Sequence, residues 1–123
     1  MPIQTKRWND LVEANDGLRL LVTRYRPRGV RKEDETWDAW WPQLAPSCEL
    51  HRTWYPKVGA RISWGEFKRR YLGEMKGQKE RIGELAQRSS YGETITLLCS
   101  NACTNPEKCH RTLLKSLIEE FRL

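Results

Sequence analysis

The sequence predicts a small Rossmann-like α/β domain, in which a short parallel or mixed sheet is flanked by several helices. Its predicted elements run in the order strand, strand, several helices, strand, helix, which is typical of a sheet covered by helices. Two apolar runs, LRLLVTRY at 18–25 and ETITLLC at 93–99, have the length and the Leu, Val and Ile content of buried strands. A chain of 123 residues holds one such core, so we expect a single domain over residues 1–123.

The composition is that of a globular protein in water, with 38% hydrophobic and 31% charged residues. No apolar stretch approaches the roughly 18 residues that span a membrane, and the opening MPIQTKRWND lacks the apolar core of a signal peptide. We therefore expect a cytoplasmic protein with no membrane partner. In that compartment its four cysteines are expected to be reduced thiols, metal ligands or redox groups rather than a disulfide framework.

The N-terminal third is predicted to supply two strands. Residues 2–8 can form the first strand, and the pair Asp16-Gly17 is a turn signal. The second strand is predicted at 18–25 and is followed by a charged loop, RPRGVRKEDE.

A short helix is predicted over TWDAWWPQL, residues 36–44, capped by Asp34 or Thr36. Four apolar side chains recur there at helical spacing: Trp37, Trp40, Trp41 and Leu44. Pro42 makes this helix short or kinked. Residues 45–56 are predicted to be a loop, with room for one turn of helix at Cys48 to His51.

Two further helices and the last strand are predicted in the second half. Ser63 and Glu66 match the S-x-x-E capping box, which predicts a helix over 63–75. A second apolar stripe predicts a helix over 79–89. The strand at 93–99 follows the turn signal Tyr91-Gly92.

The stretch CSNACTNPEKCHR, residues 99–111, joins that strand to the last helix. Asn105 and Pro106 are predicted to begin the helix, Asn as cap and Pro at the first helical position. This start places Cys109 in the first turn on the apolar face. By the same helical phase, His110 points away from the core and is available to solvent or to a ligand.

A binding pocket is predicted where the strands end, because ligands of open α/β sheets bind beyond the carboxyl ends of the strands. If the strands that end near residue 24 and at Cys99 are parallel neighbours, several arginines approach the 99–111 turn. The predicted anion-binding residues are Arg24, Arg26, Arg28 and Arg111. Free amides at a helix start and bidentate guanidinium groups suit a phosphate or a carboxylate. Alternatively, these arginines form surface ion pairs with Glu33, Asp34 and Glu35.

Cys99 and His110 are the predicted reacting groups. A thiol near a helix N-terminus and cations has a lowered pKa and can act as a nucleophile. Cys109 shares that position, but on an apolar face it is better interpreted as a buried, inert cysteine. The Cys-x5-Arg phosphate loop is absent, since Asn105 stands where the arginine would be.

A metal site is a further alternative, since Cys99, Cys103, Cys109 and His110 could supply four ligands. Their spacing, C-x3-C-x5-C-H, differs from the paired short spacings of structural zinc sites. Adjacent helical residues such as Cys109 and His110 also diverge by roughly 100°. Cys48 and His51 could complete a set only through contacts that the sequence does not show. The sequence therefore predicts no metal and no cofactor, and it contains no glycine-rich nucleotide motif.

The alternative function is a non-enzymatic surface for nucleic acid or an acidic partner. The net charge is +6, and all six tryptophans lie within the first 64 residues, beside many arginines. Aromatic side chains among basic ones could stack bases. Tryptophans that fill a small core would give the same pattern.

Several segments together resemble one protein family. LVTRYRPRGVRKE, WDAWWPQLAPSCEL, WGEFKRRYLGEM, TLLCS and CHR occur in this order across residues 7 to 115. The chain resembles the domain-of-unknown-function 488 (DUF488) family, in its short YeaO-like branch. The resemblance implies a small Rossmann-like α/β fold and brings no established activity. The family pattern D-R-x-W-P-R-G has Thr23 and Arg26 here in place of its Asp and Trp, so a step that used that aspartate would be lost.

Overall fold

A four-stranded parallel sheet forms the centre of the protein. The computed structural model describes residues 3–121, and it confirms the predicted α/β class. The strands are β1 (Ile3–Arg7), β2 (Leu18–Leu21), β3 (Ala39–Trp40) and β4 (Ile95–Cys99). Their order in the sheet is β1-β4-β2-β3, and every neighbouring pair is parallel. The central strand β4 is buried along its whole length, as its continuous apolar run predicts.

Four α-helices supply most of the remaining core. They are α1 (Cys48–Trp54), α2 (Trp64–Met75), α3 (Lys79–Ser90) and α4 (His110–Glu120). Their apolar stripes pack with Leu20, Ile95 and Leu97 of the sheet, and with Val22 just after β2, in one large cluster. Within the described residues, no helix is both long enough and apolar enough to cross a membrane.

Loop residues rather than α-helices cover the opposite face of the sheet. Leu21 and Leu98 pack there with Trp37, and with the partly buried Trp8 and Val30. The rings of Trp8 and Trp37 meet edge to face, with centroids 6.1 Å apart. Successive side chains of a strand point to opposite faces of the sheet. Leu20 and Leu97 therefore pack against the helices, whereas Leu21 and Leu98 pack against the loop residues.

Charged residues also lie on this loop-covered face, in the Asp16 ion cluster of Lys6, Asp16 and Arg19. The Asp16 side chain is only 2% exposed and lies 2.8 Å from the Lys6 ammonium. Its other carboxylate oxygen accepts from the Arg19 guanidinium and from the Glu13 amide. Burial alone would raise the pKa of the Asp16 carboxyl, but bonds from Lys6, the Glu13 amide and Arg19 outweigh it and hold the pKa below its usual value.

The predicted helix over 36–44 is wrong. That segment contains the short strand β3 and a 3-10 turn, Pro42–Leu44. The Trp41 amide bonds to the Leu21 carbonyl, so the chain adds to the sheet edge rather than coiling. The ring of Pro42 is compatible with the start of a turn but not with a helix interior.

Other boundaries shift by a few residues. The predicted strand at 2–8 is β1, although its Pro2 lies outside the described residues. The second strand ends at Leu21, earlier than the predicted 25. Before it, Gly17 has φ +63°, and an added Cβ would lie 2.2 Å from the Thr94 carbonyl oxygen. Only glycine fits this turn.

Helix starts follow the predicted caps only in part. At α2 the Ser63 hydroxyl accepts from the Glu66 amide, as predicted, but the Glu66 carboxylate pairs with Arg69 and Arg70 instead of closing the capping box. The predicted single turn at Cys48 continues to Trp54 as α1.

The largest correction concerns the last helix. Asn105 does cap a turn, through a bond from the Glu107 amide, but that turn is a 3-10 turn, Pro106–Lys108. Cys109 then lies in extended backbone, with φ −140° and ψ 141°, and α4 begins at His110. The prediction that Cys109 lies in the first turn of the helix is therefore wrong. The argument from helical phase consequently fails for both Cys109 and His110.

Candidate functional site

The carboxyl ends of the strands meet at one edge of the sheet. The parallel register aligns Arg7 with Cys99, and Leu21 with both Leu98 and Trp40. The segments that follow β2 and β4 therefore start side by side, as the sequence analysis expected of neighbouring parallel strands. These segments carry Arg24, Arg26 and the 99–111 turn.

A pocket of about 200 Å³ opens at this edge, and we call it the strand-end pocket. Its lining includes four predicted site residues: Arg24, Arg26, Cys99 and His110. Thr23, His51, Tyr55 and Ser100 contribute further walls. The pocket thus lies where ligands of open α/β sheets usually bind.

The two arginines of the strand-end pocket differ in their partners. Arg26 pairs with Glu35, with an N–O distance of 2.7 Å, and its guanidinium lies over the Trp37 ring. Arg24 donates to the carbonyls of Pro46 and Ala45, at 2.8 and 3.4 Å. Arg24 forms no ion pair with any residue in the described part of the chain. Of the two arginines that line the pocket, Arg24 is therefore the one whose charge is not neutralised by an ion pair.

The other two predicted anion-binding arginines lie elsewhere. Arg28 is exposed and does not line the strand-end pocket. Arg111 is buried, with 4% exposure, and its Nη2 lies 3.4 Å from the Cys103 carbonyl oxygen. Its Nε and Nη1 have no hydrogen-bond partner among the described residues. A buried guanidinium without a carboxylate partner is unusual, because desolvation of a charge is costly.

Three cysteines form a buried cluster beside Arg111, and we call it the cysteine centre. The Sγ atoms of Cys99, Cys103 and Cys109 all lie within 4.8 Å of one another. Those of Cys99 and Cys109 are 3.3 Å apart. The side chains come from a strand end, a turn closed by the Cys103 amide on the Ser100 carbonyl, and the extended residue before α4.

His110 lies between the cysteine centre and β2. Its Nε2 is 2.7 Å from the Val22 carbonyl oxygen. Because that oxygen can only accept, Nε2 must carry the hydrogen. In the neutral ring the lone pair is then on Nδ1, which lies 4.0 Å from the Cys99 Sγ. Burial lowers the pKa of His110, which favours this neutral form. The sequence predicted that His110 points away from the core and is available to solvent or to a ligand. The residue is 8% exposed, so the predicted exposure to solvent is wrong, although it lines the strand-end pocket.

The pKa values of the three thiols in the cysteine centre shift in different directions. Hydrogen bonds from Cys109 and Cys99, with help from Arg111, lower the pKa of Cys103. Hydrogen bonding of Cys99 with Cys103 and Cys109, together with burial, raises the pKa of Cys99. Burial raises the pKa of Cys109. These shifts make Cys103, rather than Cys99, the thiol of the centre that loses its proton more readily.

Cys103 also reaches a second hollow, of about 190 Å³, on the other side of Tyr55. Trp54, Arg61 and Lys108 line this hollow with it. The cysteine centre thus borders two openings, through Cys99 and through Cys103. Cys48 is exposed and lies outside the centre.

Sequence reasoning missed Tyr55 and His51 as pocket residues and gave Cys103 no role of its own. Tyr55 and His51 come from α1 and its end, which were predicted to be loop. The only signal for them was the residue type, since HRTWY places two polar aromatic groups together. The role of Cys103 was missed because the incorrect helix start placed Cys109 on the apolar helix face, away from the other two thiols.

Comparison with known proteins identifies the family. Residues 3–122 match the family model described as "Active DUF488-N3 subclade". This chain belongs to the DUF488 family. It is 36% identical over 100 residues to "Uncharacterized protein YeaO" of Escherichia coli, an alignment that covers 81% of this chain and 84% of that protein.

Mycobacterial relatives of this DUF488 chain are shorter matches. It is 37% identical over 73 residues to "Uncharacterized protein Mb3100c" of Mycobacterium bovis and, equally, to "Uncharacterized protein Rv3073c" of Mycobacterium tuberculosis. Each alignment covers 59% of either chain. No solved structure matches this DUF488 chain.

Proposed function

We propose that this protein binds a small phosphate- or carboxylate-bearing ligand in the strand-end pocket and that it is an enzyme with Cys99 and His110 in its reacting centre. One observation carries the proposal: an arginine without an ion pair, a thiol and an oriented imidazole line one pocket at the carboxyl ends of adjacent strands.

The charge of the strand-end pocket favours an anion. Arg24 keeps its charge without a carboxylate partner among the described residues, whereas Glu35 neutralises Arg26. Burial and the nearby Arg24 lower the pKa of His51, so that ring adds no positive charge near neutral pH. A single cation with free N–H donors suits an oxyanion, since charge-assisted hydrogen bonds to guanidinium are strong.

The size of the pocket restricts the ligand. About 200 Å³ is smaller than the pockets of roughly 300–1,000 Å³ that take drug-sized molecules. A ligand of a few heavy atoms, or the anionic end of a longer one, fits this volume. At the inner end it meets the Cys99 thiol and the His110 Nδ1 lone pair.

The alternative of a nucleic-acid surface has weaker support. Exposed arginines such as Arg31, Arg69 and Arg70 are paired with acidic neighbours. Among the tryptophans, Trp37 and Trp54 are buried in the two clusters. Stacking platforms need exposed rings beside unpaired cations, and these side chains do not provide them.

A binding experiment tests the proposal. Thermal shift and calorimetry with inorganic phosphate and small carboxylates should show stabilisation of the wild-type protein. Arg24→Gln should weaken anion binding roughly tenfold or more, as expected when a charge-assisted bond is lost. Arg28→Gln is the matched control, since Arg28 is exposed outside the pocket, and it should bind like wild type.

The outcomes separate the two functions. Arg24 also donates to the Pro46 and Ala45 carbonyls, so Arg24→Gln could fold poorly. Arg24→Lys is therefore included as a second variant. It keeps the positive charge and should retain part of the anion affinity. The proposal is overturned if no anion binds, or if the Arg24 and Arg28 variants lose affinity equally. Binding of an oligonucleotide that falls steeply with salt and ignores Arg24→Gln would instead support the alternative.

A further inference from the structure

The sulfur atoms of the cysteine centre have the spacing of metal ligands. In a tetrahedral zinc site with Zn–S bonds of about 2.3 Å, two thiolates lie about 3.8 Å apart. Here one Sγ pair is 3.3 Å apart and all three atoms lie within 4.8 Å. Small side-chain rotations therefore bring the three sulfurs around one ion. The three cysteines are 4%, 6% and 3% exposed, so water competes weakly for the position between them.

The backbone allows this arrangement because Cys109 is not helical. In a helix, neighbouring side chains diverge by roughly 100°, and Cys109 would point with the apolar stripe. With φ −140° and ψ 141°, Cys109 instead lies in extended backbone, and its side chain reaches Cys99. The Ser100–Cys103 turn brings the third thiol to the same place.

Arg111 provides an independent observation that points to an anionic centre. Its guanidinium is 4% exposed, and its Nε and Nη1 lack partners among the described residues. Three thiolates on a divalent ion carry a net charge of −1, which one guanidinium balances. A buried charge is tolerated when it is paired. The cysteine centre with an ion would therefore supply the partner that Arg111 otherwise lacks.

We propose that Cys99, Cys103 and Cys109 together bind one thiophilic divalent ion of the Zn²⁺ class, with its fourth position open to the strand-end pocket. The first half of this proposal, that the three cysteines bind an ion, stands on the sulfur geometry and Arg111 alone. The second half, that the fourth position is open to the pocket, rests on the proposed function, because the anion held by Arg24 would complete the coordination. Three protein ligands and one exchangeable position are the usual arrangement of a catalytic zinc ion. Binding displaces the thiol protons to solvent.

His110 has a positioning role in this arrangement. Its Nε2–H is held by the Val22 carbonyl, and its Nδ1 faces the pocket side of Cys99. From there Nδ1 can accept a hydrogen bond from a water or a protonated anion in the fourth position. The ion does not need it as a ligand, so His110→Ala should keep the metal stoichiometry.

Cobalt is the probe for the first half. The full chain is purified under reducing conditions without added metal, assayed for zinc, stripped and titrated with Co²⁺. We expect one equivalent, with a thiolate-to-cobalt charge-transfer band and the visible bands of a tetrahedral site. Cys103→Ser should weaken Co²⁺ binding by roughly 100-fold or more, a loss at least as large as that for supporting residues. Cys48→Ser is the matched control, since Cys48 is exposed outside the centre, and should bind like wild type.

A disulfide between Cys99 and Cys109 is the competing use of the same sulfurs, given their 3.3 Å separation. It needs two cysteines, whereas the ion needs three. Peptide mapping of protein purified without reductant distinguishes them. The metal proposal is overturned if that disulfide is the native state, if Co²⁺ fails to bind the fully reduced protein, or if Cys103→Ser binds Co²⁺ like wild type.

Inorganic phosphate tests the second half. Added to the Co²⁺ protein, it should change the visible bands in wild type and leave those of Arg24→Gln unchanged. Co²⁺ binding with bands that phosphate and carboxylates do not alter would overturn the open position and leave the metal site intact. Loss of Co²⁺ binding in His110→Ala would also overturn the open position, since His110 would then be the fourth ligand. Anion binding to the metal-free protein, with no Co²⁺ binding, would overturn the metal site and leave the proposed function standing.

Discussion

The protein buries positive charge in two places and treats it in opposite ways. On the loop-covered face, Lys6 and Arg19 have the Asp16 carboxylate between them, and Arg19 also donates to the Thr36 carbonyl. At the carboxyl edge of the sheet, Arg111 is equally buried, but only its Nη2 has a partner among the described residues.

The difference separates a charge that is paired within the chain from one that forms no ion pair with the described residues. The Asp16 ion cluster is complete within the chain, so its contribution is to stability. Arg111 forms no ion pair with the described residues and lies beside the cysteine centre, so it gains a counter-charge when that centre is negative. Buried polar groups that a fold leaves unsatisfied often mark function.

The largest expected effect comes from breaking the complete cluster. Asp16→Ala removes the carboxylate, so the buried Arg19 loses its counter-charge and Lys6 keeps only its ion pair with Glu13. We expect a loss of about 3–5 kcal/mol in the free energy of unfolding, as for other broken buried pairs. Chemical denaturation measures it. The control is Asp34→Ala, which breaks an exposed pair with Arg31 and should cost less than about 1 kcal/mol; equal losses would show that the Asp16 ion cluster contributes little.

Lowering the pH should weaken the same cluster, with an intermediate effect on the stability of the fold. The folded-state pKa of Asp16 is lowered, so its stabilisation is present above the unfolded value of about 3.9 and is lost as the pH falls through the folded value. Urea midpoints measured from about pH 6 down to about pH 2 should therefore fall, and fall less steeply in Asp16→Asn. Parallel profiles for the two proteins would assign acid sensitivity to other carboxylates, such as Glu93, whose pKa is also lowered by Arg88.

The smallest expected effect concerns Arg111 in the reduced, metal-free protein. Arg111→Met keeps much of the side-chain volume and removes an incompletely partnered charge, so the free energy of unfolding should change by less than about 1 kcal/mol. With Co²⁺ present, the same variant should bind the metal more weakly than wild type. If Arg111→Met instead lowers the free energy of unfolding of the metal-free protein by about 3 kcal/mol or more, as a broken buried pair does, then Arg111 is a structural charge like Asp16.

The sequence predicted the sheet well because its strands are defined locally. ETITLLC is a continuous apolar run, and its β4 is buried throughout. The Asp16-Gly17 signal rests on a backbone conformation that glycine favours, and φ at Gly17 is indeed +63°. Ser63 as a cap is equally local, because its hydroxyl bonds to the amide three residues later.

The segments that the sequence mispredicted depend on distant partners. Trp37, Trp40 and Trp41 recur at helical spacing, yet the chain there bonds to Leu21 and becomes a strand. Nothing within 36–44 encodes the open sheet edge that it joins. At the candidate site, Arg24, Cys99 and His110 were predicted and do line one pocket. The cluster of three cysteines was not predicted, because an assumed helix start directed Cys109 away from it.

The position of Trp54 gives the protein an internal optical reporter. This indole lines the hollow that contains Cys103, and the Arg61 guanidinium lies 4.3 Å from its ring centroid. The Trp8 and Trp37 pair lies on the opposite face of the sheet. Fluorescence from Trp54 should therefore change when the cysteine centre is occupied, and Trp37 should respond less because its ring packs on that other face. A Trp54→Phe variant isolates that signal, so occupancy can be followed in the unlabelled chain at micromolar concentration and in real time.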